Sequence, residues 1–64
     1  MNYVQKEWMD AVQKALRKAR RINDTVYIVY EDGAYHVADA YDLDTYFCGL
    51  EPKAAIEPTG EVYC

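Results

Sequence analysis

Three aspartates, Asp39, Asp42 and Asp44, stand close together and are the first candidates for chemistry. Clustered carboxylates can hold calcium, but an EF-hand loop needs acids at positions 1, 3 and 5, Gly at 6 and Glu at 12. With Asp42 and Asp44 as the first two acids, Tyr46 and Phe47 fall where the third acid and the Gly should be. No metal is expected there; helix capping and a solvated acidic edge account for the carboxylates. His36 is the single histidine, and Cys48 and Cys64 are the two thiols. A thiol–imidazole pair needs a group to orient the base and donors for an oxyanion, and neither is evident. The chain has no Cys/His ligands at zinc spacing. Gly33, Gly49 and Gly60 each mark a turn rather than a phosphate loop. The sequence therefore predicts a non-enzyme without a cofactor.

What remains is binding, and the charge is sharply divided. The 64 residues carry a net charge of -4. Residues 1–23 hold six Lys and Arg against two acids, while residues 24–64 hold one Lys against nine acids. Two electrostatic faces are expected. The first is the stretch Lys14–Arg21 (KALRKARR), five of whose eight residues are basic. Lys14, Arg17, Lys18 and Arg21 on one helix face form a candidate nucleic-acid surface, because such a face contacts phosphates. Against this, the chain as a whole is acidic and no aromatic is interleaved to stack on bases.

The second face is acidic and rich in tyrosine. Tyr gives large contact area at low entropic cost, and acids around it steer toward a basic partner. Glu31, Asp32, Asp39, Tyr41, Asp42 and Asp44 are the candidate partner-binding residues. A host nucleic-acid-binding protein, whose groove normally holds phosphates, fits that surface. A third reading is a homodimer in which the basic helix of one copy meets the acidic edge of another.

These residues need elements to position them. Residues 3–22 read as one amphipathic helix, with Val4, Trp8, Ala11, Val12, Ala15, Leu16, Ala19 and Ile22 on one half of the wheel. Gln5 is the one polar residue inside that arc. Val4, Trp8, Val12 and Leu16 are expected to be the main apolar payload. Asn2 is the expected N-cap, with Gln5 in a capping-box position, and Asn23 the left-handed stop. Asp10 and Lys14, four apart, are spaced to pair. Thr25–Glu31 and Ala34–Ala40 then form a hairpin about an Asp32-Gly33 turn of type I′. That turn sets Tyr30 opposite Tyr35, Val29 opposite His36, Ile28 opposite Val37, Tyr27 opposite Ala38 and Val26 opposite Asp39. The face carrying Val26, Ile28, Tyr30, Tyr35 and Val37 is expected to receive the helix. The other face, with Tyr27, Val29, His36 and Ala38, is either covered by later residues or left as a binding surface.

Beyond the hairpin, Leu43, Tyr46, Phe47 and Leu50 follow helical spacing. Asp42 or Asp44 would cap a short helix that Gly49 ends. Residues 53–57 and 61–63 are expected strands about a Pro58-Thr59-Gly60 turn. The whole is one small α+β domain spanning residues 1–64, an N-terminal helix packed on a small antiparallel sheet in the order α-β-β-short α-β. Its apolar share is 52%, much of it Ala and Tyr, so the core should be thin. With no signal-peptide pattern and no apolar run near the ~18 residues needed to span a bilayer, a soluble cytoplasmic protein with reduced thiols is expected.

The stretch Ile22–Pro52, INDTVYIVYEDGAYHVADAYDLDTYFCGLEP, resembles short reading frames of phages and bacterial mobile elements in its helix–hairpin–Tyr/Asp style. The similarity covers about half the chain. Small acidic proteins of this kind include anti-CRISPR-type inhibitors, which bind a host effector without catalysis. The resemblance implies an inhibitory binding role and assigns no residue.

Overall fold

A computed structural model describes residues 3–64, with side chains from Gln5 onward. The elements are α1 (Tyr3–Ile22), β1 (Val26–Glu31), β2 (Ala34–Ala38), α2 (Ala40–Tyr46), β3 (Ala54–Ile56) and β4 (Val62–Tyr63). The four strands form one antiparallel sheet in the order β2-β1-β3-β4, so the α+β architecture stands as expected. The Asn2 cap and the Val4 side chain lie outside what is described.

Helix α1 lies on one face of the sheet, and its contact line differs from the expectation. The buried stripe is Ala11, Ala15 and Ala19, spaced four apart, against Val26, Ile28, Ala54 and Ile56. Trp8, Val12 and Leu16 are only partly buried and flank that stripe. The reason is steric. Alanines on the contact line let the helix backbone approach the sheet closely, and the branched sheet residues supply the bulk. Gln5, Met9 and Ile22 are exposed. Helix α1 ends as its sequence dictates: Asn23 takes a positive φ of 55°, and the Asp24 amide donates to the Ala19 carbonyl at 3.1 Å. This six-to-one hydrogen bond satisfies a carbonyl the helix would leave unpaired.

The hairpin register is the expected one from Tyr27–Ala38 to Glu31–Ala34. Asp32 and Gly33 have φ of 57° and 75°, the positive pair that a type I′ turn requires. β2 stops at Ala38, and the expected Val26–Asp39 pair does not form because Asp39 is used otherwise. On the helix-facing side, Tyr35 sits edge-on to both Trp8 (5.3 Å between ring centroids) and Tyr30 (5.1 Å). Tyr35 takes the place beneath Trp8, which leaves Tyr30 47% exposed rather than in the core.

The second face is covered by the later chain. α2 packs on β1 and β2, Val29 and Ala38 are fully buried, and the Phe47 ring stands 5.4 Å from that of His36. Asp39, not Asp42 or Asp44, caps α2. Its backbone is extended, and its carboxylate accepts the Asp42 amide at 2.8 Å. The reason lies in the spacing: a cap bonds the amide two or three residues on, and Asp39 is the residue at which the strand ends. Gly49, with φ of 90°, follows the end of α2 as expected.

Replacing Ala15 by Leu should force α1 off the sheet and lower stability by about 1–3 kcal/mol in urea unfolding. Asp39→Ala should cost about 1–2 kcal/mol, most of it recovered in Asp39→Asn, which keeps the capping acceptor.

Candidate functional site

The expected acidic site and the expected basic face meet at one side chain. Lys18, on α1, places its Nζ 3.5 Å from Asp42 Oδ2 and 3.9 Å from Asp39 Oδ2. All three side chains are mostly covered, the Lys at 23% exposure and the acids at 30%. Asp39 thus does two jobs, accepting the Asp42 amide and facing the ammonium. Together these contacts tie the start of α2 to α1 across the end of β2. Asp39 and Asp42 are therefore structural as well as acidic, and Lys18 is not free for phosphate.

The other expected residues are distributed. Tyr41 and Asp44 lie three apart on α2 and are exposed, Tyr41 at 71%; Tyr46 at the end of the helix is 68% exposed. Glu31 and Asp32 sit exposed at the hairpin tip. The five residues of β2, roughly 16 Å at the usual rise, separate that tip from Asp39. The six residues are thus two groups, one at α2 and one at the tip, not a single cluster. Among the described residues, no three His, Cys, Asp or Glu side chains stand together as a metal site.

Lys14, Arg17 and Arg21 are exposed along α1. Beside them lies an open groove of about 840 Å³, walled by this face of α1 and by residues 34–37 of β2. Glu7 and Asp10 continue the same wall toward the start of the helix. The Asp10–Lys14 pair does not form: among the described residues the ion pairs are those of Lys18. Both side chains face open water in the groove, where an i, i+4 pair is worth only a few tenths of a kcal/mol. Arg20, on another side of the helix, donates from Nε to the Pro58 carbonyl at 3.1 Å and anchors the β3–β4 turn.

His36 is held by the backbone of its own hairpin. His36 Nε2 lies 3.1 Å from the Glu31 carbonyl, which only accepts, so this nitrogen carries the proton. Cys48 and Cys64 are free and exposed. At the chain end, the Tyr63 hydroxyl donates to Glu61 Oε2. That hydrogen bond, and then the charge of Glu61, hold the Tyr63 phenol above its ordinary value.

The groove and the roles of Lys18 and Arg20 were not visible in the sequence. Lys18 and Asp42 are 24 residues apart, and only the chain path joins them. The one local signal was the Asp39–Asp42 spacing, which is that of a cap and its third helical residue.

No known protein family matches the chain, and no curated protein or solved structure matches it either. Among the described residues, no helix is long and apolar enough to cross a membrane.

A double-mutant cycle with Lys18→Met and Asp42→Asn should return a coupling of about 0.5–1 kcal/mol at low salt, shrinking as salt rises. Glu61→Gln should lower the Tyr63 titration point toward that of an ordinary tyrosine, read by NMR.

Proposed function

We propose that the chain is a non-catalytic protein-binding module that presents the acidic, tyrosine-bearing face of α2 to a basic partner. The observation that carries this reading is the exposure of Tyr41 and Tyr46 beside Asp44. Large aromatic rings left in water on a short helix do no packing work within the fold, and tyrosine is an enriched anchor of interfaces. The cap and the Lys18 bridge hold that helix in place, which reduces the ordering cost of binding. The excess acid of residues 24–64 steers a cationic surface toward it.

The partner of best fit is a host nucleic-acid-binding protein whose phosphate groove receives the acidic face, as in an anti-CRISPR-type inhibitor of phage or mobile-element origin. Direct nucleic-acid binding is the weaker reading, because Lys18 is engaged by two carboxylates and the remaining cations share their groove with Glu7 and Asp10.

The test uses side chains that the fold does not need. A Tyr41→Ala/Asp44→Lys variant should keep its circular dichroism spectrum and lose about tenfold or more in its ability to displace nucleic acid from the captured host protein. Undiminished displacement would remove this surface from consideration. A salt-sensitive gel shift by the protein alone, lost in Lys14→Glu/Arg17→Glu, would instead establish the nucleic-acid reading.

A further inference from the structure

The two edges of the sheet are unequal. β4 has two residues, whereas β2 has five and contains no Pro, Gly or charged residue. Short strands, prolines and charges are the usual protection of an open edge, and β2 has none of the last two.

The hairpin fixes which backbone groups face outward. A two-residue turn makes Glu31–Ala34 a hydrogen-bonded pair, and alternation makes Val29–His36 and Tyr27–Ala38 the next ones. The amides and carbonyls of Tyr35 and Val37 therefore point away from β1. The same alternation turns the Ile28 carbonyl toward the β3 side, where the Lys53 amide meets it at 2.7 Å. Tyr35 and Val37 thus carry two open donors and two open acceptors, placed symmetrically about His36.

The groove above that edge has a matching pattern. Its α1 wall runs from Glu7 and Asp10 to Lys14, Arg17 and Arg21, acid first and base last. Turned end for end, this wall is its own electrostatic complement. An acidic foreign strand would be repelled by Glu7 and Asp10, and a basic one by the rest.

We propose that the β2 edge and the α1 groove wall form a two-fold interface with a second copy of this chain. β2 of each copy pairs antiparallel about His36, with Tyr35 of one opposite Val37 of the other. Because α1 packs on both β1 and β2, the two helices would lie antiparallel, roughly 10–14 Å apart across the seam. Long side chains span that gap. Glu7 and Asp10 of one copy then face the Lys14–Arg17 stretch of the other. This interface is independent of the α2 face and does not rest on the partner proposed for it.

Sedimentation of the full chain tests it. The wild type should pass from 7.4 kDa to twice that mass as concentration rises. Glu7→Lys/Asp10→Lys and Lys14→Glu/Arg17→Glu should each remain monomeric, since like charges then oppose. Mixed one to one, they should form a heterodimer, which shows that both are folded. In the wild type, hydrogen exchange at the Tyr35 and Val37 amides should slow at least tenfold on dimerisation. A wild type that stays monomeric to millimolar concentration overturns the proposal. So do charge variants that still self-associate, a mixture that does not, and a monomeric wild type that takes up an extended acidic peptide.

Discussion

The constraint on which the rest depends is the close seat of α1 on the sheet, set by Ala11, Ala15 and Ala19. A chain of this length has little interior to spend on thickness. Small residues on the helix and branched ones on the sheet give a dense, thin core. Ile28, Ile56, Val26 and Val29 are the largest fully buried side chains. Everything else follows from that seat: the helix must carry its cations outward, and the remaining apolar rings must find room at the margins. Trp8, Tyr35 and Tyr30 form such a margin, an aromatic row at the hairpin end.

The second organising contact is polar. A sheet whose other face is covered by only seven helical residues needs that helix held at its start. Asp39 supplies this twice, once to the backbone of α2 and once to Lys18. The two charged halves of the sequence are therefore not simply two opposed surfaces. They are joined at Lys18, and their remainders lie elsewhere: Asp44 on the outside of α2, Glu31 and Asp32 at the hairpin tip, and Lys14, Arg17 and Arg21 along the groove beside β2.

Much of the fold was legible from local chemistry. The bounds of α1, the Asn23 stop, the Asp-Gly turn and the hairpin register from the turn to Tyr27–Ala38 all rest on rules that act within a few residues, and these are found as read. The errors concern what only tertiary contact decides. Apolar side-chain area ranks Trp8 and Leu16 above Ala15, but the distance between helix and sheet gives Ala15 the centre. Asp39 reads as the end of a strand until α2 needs an acceptor there. Of the candidate site, the types of residue were legible and their grouping was not, because Lys18 meets Asp42 only once the chain has folded back.

The shortness of β4 has a consequence for assembly at large. Its two residues offer too brief a ladder to template another strand, and its Tyr63 is tied to Glu61. Folded copies joined through the β2 edge stop at a pair, because that joining uses the edge up and β4 presents only two residues to a further strand. The limit on end-to-end addition of folded copies thus lies in the strand farthest from the open edge.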